Sequence, residues 1–226
     1  FIYIRRLLMI LLIAYCLHFP APSFARFFTL NYQDWLRFFE CDILQTIVYT
    51  SFISLFILMI SPRLKYIPWI FTGLALLVFL VSPYIWSLDP LSSMPAFFGA
   101  LFAEQPVSNF PLFPWSGYFF AGAAITSFFM MAENKRKLAW WFFIGALTLS
   151  TVLLYTKEYT QYYPFVQNWW LGSPAHSFFR TFGSTMVFGL LFLIENYYKK
   201  NKIGNFLRIA GQESLFLYVS HLLIVY

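Results

Sequence analysis

Three sets of polar side chains recur at helical spacing in an otherwise apolar chain, and each carries groups able to do acid–base or hydrogen-bonding chemistry. Ser214, Tyr218 and His221 follow at i, i+4 and i+7, which places a hydroxyl, a phenol and an imidazole on one helix face. A neutral imidazole there would serve as a general base or orient a ligand; alternatively it bonds to a neighbouring helix. Asp42, Gln45 and Tyr49, at i, i+3 and i+7, make a second polar stripe. Asp42 is either a helix N-cap or a carboxylate turned into a cavity, with Gln45 supplying an amide to a polar substrate. His176 and Arg180, one turn apart, form the third set. An Arg in an apolar run needs a partner, and Asp42, at the same predicted depth, is the attractive one. That Arg serves either a structural ion pair or the binding of an anionic or hydroxyl-rich ligand.

The elements that position these groups follow from charge and hydropathy. The chain is 60% hydrophobic and 11% charged, far below the roughly 25% charged residues of soluble domains, so long apolar runs read as membrane-spanning helices. Basic residues cluster at Arg5 and Arg6, at Arg63 and Lys65, at Lys135, Arg136 and Lys137, and at Lys199, Lys200 and Lys202 with Arg208 beyond. These clusters fall on alternate connections and mark the cytoplasmic side. The net charge of +6 is therefore explained by topology, and it gives no reason to invoke a nucleic-acid partner. Lipid headgroups are the natural partner of these loops.

The predicted architecture is an all-α bundle of about seven transmembrane helices over residues 4–19, 43–61, 66–86, 111–132, 138–155, 178–195 and 211–226. If the last helix enters the bilayer near Gln212, His221 lies about 13 Å deep at 1.5 Å per residue, close to the midplane. Glu213 has its own explanation, as an acid complementing the dipole in the first helical turn. Residues 1–226 read as one membrane domain, without a cleavable signal peptide. The start at Phe1 and the stop at Tyr226, inside an apolar run, lead us to expect further helices at both ends.

The predicted outer segments are rich in aromatic residues. Residues 20–42 carry Trp35, Phe38 and Phe39 with charges at helical spacing, which predicts a short helix lying on the membrane surface. Residues 156–177 add Tyr159, Tyr162, Tyr163, Trp169 and Trp170. Either these rings form an interfacial belt or they build a lid or substrate platform. His18 reads as an interface residue. Cys16 and Cys41 are expected as free thiols, although a disulfide across the outer face is geometrically conceivable. No CxxC or His/Cys cluster supports a metal site.

In order along the chain, the segments Phe39-Glu40-Cys41-Asp42-Ile43-Leu44-Gln45-Thr46-Ile47, Phe110-Pro111-Leu112-Phe113-Pro114-Trp115-Ser116-Gly117-Tyr118 and Ile209-Ala210-Gly211-Gln212-Glu213-Ser214-Leu215-Phe216-Leu217-Tyr218-Val219-Ser220-His221-Leu222 resemble motifs of bacterial membrane proteins related to heparan-alpha-glucosaminide N-acetyltransferase. The last pattern is also similar to that of other integral-membrane acyltransferases. The resemblance implies a multi-pass protein of the bacterial cytoplasmic membrane. It would move acetyl from cytoplasmic acetyl-CoA to an amino or hydroxyl group of a sugar or glycan on the other side. It implies as well that the family histidine assigned to acetyl transfer lies upstream of Phe1, so that role does not pass to His18, His176 or His221. Basic inner loops suit the phosphates of CoA. A homo-oligomer is compatible with this reading. The rivals are a polar-solute transporter or lipid-carrier flippase, since intramembrane His, Arg and Asp also mark transport paths, and a non-catalytic scaffold for envelope assembly.

Overall fold

The computed structural model describes residues 2–20, 29–61, 63–104, 106–166, 168–199 and 201–213. In chain order the helices are α1 (Ile2–Leu17), α2 (Tyr32–Phe39), α3 (Ile43–Ile60), α4 (Ile67–Ser87), α5 (Pro90–Ser93), α6 (Ala96–Phe102), α7 (Leu112–Met131), α8 (Lys135–Tyr155), α9 (Lys157–Thr160), α10 (Trp169–Gly172), α11 (Pro174–Leu193), α12 (Glu195–Tyr198) and α13 (Lys202–Gln212). The described residues contain no strand. Among the described residues, three segments are long and apolar enough to cross a membrane: Ile43–Ile60, Leu64–Ser87 and Lys135–Tyr155. Residues 214–226, which complete the last predicted span, lie outside the described residues.

Two helix pairs form the framework. In the first, α4 lies against α7 around Phe71, Ala75, Val78, Phe79, Phe120, Ala121 and Ala124, all buried. Phe71 and Phe120 stack at 6.0 Å between ring centroids. Gly117 makes room for this contact, because a Cβ there would come within 2.5 Å of the Phe79 ring. In the second, α8 lies against α11, and Gly189 lets the two backbones approach: a Cβ would sit 2.8 Å from the Ala139 carbonyl oxygen. Phe79 and Phe178 meet edge to face at 5.4 Å and join the pairs. Small residues at helix crossings are how apolar helices pack closely when no water is left to expel.

The short helix predicted within residues 20–42 is present as α2. Asn31 and Asp34 form a reciprocal capping box at its start, with the Asp34 N–H donating to Asn31 Oδ1 at 2.9 Å and the Asn31 N–H to Asp34 Oδ2 at 3.1 Å. Its aromatic face packs on α1 and α6: Phe38 lies 5.3 Å from Tyr15, and Phe39 lies 5.3 Å from Phe97.

A latch then fixes the start of α3 to the segment before α7. The Phe110 N–H donates to the Cys41 carbonyl at 3.0 Å, the Cys41 N–H donates to Ser108 Oγ at 3.0 Å, and that hydroxyl donates to the Ala100 carbonyl at 2.6 Å. Thr46 donates its hydroxyl to the Phe110 carbonyl, and Asn109 donates to the Glu40 carboxylate at 2.6 Å.

Both cysteines are free. Cys16 is exposed, whereas Cys41 is wholly buried in the latch, and burial pushes its thiol up to about 12. Maleimide is therefore expected to label one thiol in the folded protein and two after denaturation, as read by intact mass. Labelling of Cys41 before unfolding would contradict the latch.

Candidate functional site

All the site residues within the described part belong to the helix ends predicted to face outward. The N-terminus of α11 is the richest. Pro174 occupies its first turn, where a missing N–H costs nothing, and this starts the helix four residues before the predicted span. The early start buries Ala175, His176 and Ser177. His176 is 4% exposed and lies among indole rings, 4.9 Å from Trp169 and 5.2 Å from Trp170 between centroids.

Arg180 is exposed and donates its Nε–H to His176 Nε2 at 3.2 Å. Its guanidinium lies over the Trp115 ring, 5.8 Å from the centroid. Tyr118 lies beside Trp115, 5.5 Å away between ring centroids. Because Nε2 accepts from Arg180, this imidazole is neutral and its lone pair is occupied. A buried ring in that state orients Arg180 rather than taking a proton from a substrate, so His176 is a positioning residue.

The segment after α8 closes over this corner. Lys157 Nζ lies 4.6 Å from the Trp170 ring centroid and 5.5 Å from that of Trp169. Trp169 donates its indole N–H to Thr160 Oγ1 at 2.9 Å, and Asn168 caps the single turn of α10 by accepting from the Trp170 N–H at 2.9 Å. Gly172 is needed where α10 meets α4, since a Cβ would come within 2.6 Å of the Trp86 ring. In this corner Trp86 Nε1 and Ser173 Oγ are buried without a hydrogen-bond partner. Such groups are uncommon in folded proteins and mark an incompletely satisfied polar pocket.

The second set stands at the start of α3. Asp42 is the N-cap, its Oδ1 accepting from the Ile43 N–H at 2.8 Å. Gln45 lies fully buried one turn on, and Tyr49 shares a hydrogen bond with Tyr15 of α1 at 2.7 Å between hydroxyls. The expected Asp42–Arg180 ion pair is not found among the described residues. The carboxylate turns back onto its own helix terminus, where an unpaired N–H and the dipole favour it. The guanidinium turns to His176 and Trp115 instead.

The two sets nevertheless belong to one region. Phe110, held by Cys41 and Thr46, packs against Trp115 at 4.6 Å, and Trp115 in turn carries Arg180. Residues 110–118 thus lie between the α3 stripe and the α11 corner. His18 keeps to α1, its Nδ1 3.0 Å from the Ala14 carbonyl oxygen. Ser214, Tyr218 and His221 lie outside the described residues.

Trp115, Tyr118, Lys157 and Ser177 join the site without having been singled out. Trp169 and Trp170 belong to the rings expected to form either an interfacial belt or a lid or substrate platform. The available signal was the concentration of Trp and Tyr beside His176. The chain matches no family model, no curated protein and no solved structure.

Proposed function

We propose that the chain is the membrane-embedded part of an acetyltransferase that moves acetyl from cytoplasmic acetyl-CoA to an amino or hydroxyl group of an extracytoplasmic sugar or glycan. The observation that carries this reading is the α11 corner. There an exposed guanidinium, held by His176 and Trp115, stands beside tryptophan faces at the aromatic ends of the helices. Flat indole faces suit the apolar faces of sugar rings, and a fixed guanidinium suits either their hydroxyls or the oxyanion of acyl transfer.

In the reaction the acceptor oxygen or nitrogen bonds to the acetyl carbonyl carbon and loses a proton to a base. The acyl carbon–sulfur bond then breaks, and CoA leaves as its thiol. In this chain Arg180 would balance charge near the acceptor while His176 and Trp115 fix its direction. The sequence similarity noted above supplies the acyl donor. The basic clusters at the opposite helix ends are compatible with CoA phosphates and with anionic lipid headgroups. This proposal includes seven spans in the bacterial inner membrane.

The test is transfer of labelled acetyl from acetyl-CoA to envelope glycans by membranes containing the full-length protein, beside an empty-vector control. Transfer above the control is the expected result. Well-folded protein inactive across a broad acceptor panel would overturn it in favour of transport or scaffolding.

A further inference from the structure

Between the two helix pairs lies a cavity of about 340 Å³ whose walls come from α4, α7, α8 and α11. Its outermost lining residues on α4 and α11 are Phe79 and Phe178, and their edge-to-face contact bounds its outward end. No charged residue lines it, and its three hydroxyls are engaged already. Thr72, Thr181 and Thr185 donate to the carbonyls of Pro68, Ser177 and Thr181 on their own helices at 2.8, 2.9 and 2.7 Å. An apolar cavity of about 150 Å³ already stays dry and takes up benzene, so hydrocarbon rather than water or a polar solute matches this one. Gly145 adds room, since a Cβ there would meet no atom within 4 Å.

Leu76 of α4 and Trp141 and Leu149 of α8 line the cavity and are nevertheless exposed, so it opens to the surface beside these two helices. Both helices belong to segments long and apolar enough to cross a membrane, where the molecules at that mouth are lipids. Lys137, Trp141, Gly145 and Leu149 follow at i, i+4, i+8 and i+12, so one line along α8 leads from a cation into the cavity. Lys137 is about 6 Å from Trp141 along the axis. With Lys135 and Arg136 it makes an exposed cluster, against which Glu133 sets one negative charge. Among the described residues none of these three cations pairs with a carboxylate.

We propose that the cavity holds one acyl chain of an anionic phospholipid whose phosphate rests on the Lys135–Lys137 cluster. The chain supplies apolar contacts that the cavity walls lack, and the cluster selects the headgroup by charge, as basic groups beside intramembrane clefts do. The Trp141 indole, apolar with one N–H, suits the headgroup level between them. The site requires α4 and α8 to lie in a bilayer and does not depend on acyl transfer.

The readout is the Tm of the full-length protein in detergent with dioleoyl phosphatidylglycerol, dioleoyl phosphatidylcholine or glycerol 3-phosphate added. Phosphatidylglycerol should raise the wild-type Tm by several degrees, phosphatidylcholine by less, and glycerol 3-phosphate not at all. Gly145→Leu puts a side chain where the acyl chain lies; it should melt at or above the wild-type temperature without lipid and lose the shift. Lys137→Ala, an exposed change outside the helix framework, should reduce the phosphatidylglycerol shift to that of phosphatidylcholine, and it serves as the test if Gly145→Leu does not fold. No wild-type shift, equal shifts with the two lipids, or a full shift in Gly145→Leu would overturn the site. An equal shift with glycerol 3-phosphate would place binding in the cluster alone and overturn the cavity's part. A lowered Tm in Gly145→Leu with no lipid shift in the wild type would show that the cavity is filled by protein, which also overturns it.

Discussion

On the proposed acyl-transfer reading, Arg180→Ala is expected to lower acetyl transfer by about 100-fold, the scale for losing one donor aimed at developing charge, while leaving folded protein in membranes nearly unchanged. The separation of activity from folding follows from how the guanidinium is held. Arg180 is exposed, and among the described residues it pairs with no carboxylate, so its removal strands no buried countercharge. What is lost is a cation fixed by His176 Nε2 at 3.2 Å and by the Trp115 face. Arg180→Lys keeps the charge but not the planar fork that both contacts require, so it should recover little activity. His176→Gln retains an acceptor and should preserve more activity than His176→Phe. The check compares initial rates with the monodisperse protein extracted from the same membranes. Parallel losses of rate and folded protein would reassign Arg180 to structure.

The apolar helices were legible because their ends coincide with sharp changes in residue type. Residues 43–61, 66–86 and 111–132 correspond to α3, α4 and α7 within about a residue. The α11 boundary was less legible. A polar Pro-Ala-His-Ser start reads as loop, and only the tryptophans packed on His176 make its burial favourable. Short helices such as α5, α9 and α10 carry too few residues to show a period.

The candidate site divides in the same way. Spacing alone put Asp42, Gln45 and Tyr49 on one face, and placed His176 beside Arg180. It says nothing of how one helix is rotated against another, so it assigned Asp42 to Arg180 when each had a nearer partner. Trp115 and Arg180 meet only because α7 and α11 pack together, a relation between distant segments that no local pattern encodes. Nor does sequence show which buried polar groups remain unsatisfied. That property, shared by Gln45, Trp86 and Ser173, emerges only once their surroundings are known.

Gly189→Val should be the most damaging single change in the helix framework. A Cβ at this position would lie 2.8 Å from the Ala139 carbonyl oxygen and 3.0 Å from the Phe143 nitrogen. Both are backbone atoms of α8, so no side chain can rotate away and the helices must separate. Overpacking of this kind costs about 3 kcal/mol or more. At roughly 2–4 °C per kcal/mol for a chain of this size, the Tm should fall by about 6–12 °C. Gly183→Ala, on the same helix, meets no atom within 4 Å and should leave the Tm unchanged or slightly raised. The damage should also reach the site. Arg180 stands nine residues from Gly189 on α11, about 14 Å along the axis, so a wedge between α8 and α11 tilts the element that carries the guanidinium. Transfer measured per folded molecule should therefore fall in Gly189→Val, because a displacement of about 1 Å is enough to slow a positioned reaction by about 100-fold. Equal melting of the two glycine variants would show that the α8–α11 approach does not limit stability. Unchanged transfer per folded molecule would show that the α11 corner is set by Trp115 and Trp169 alone.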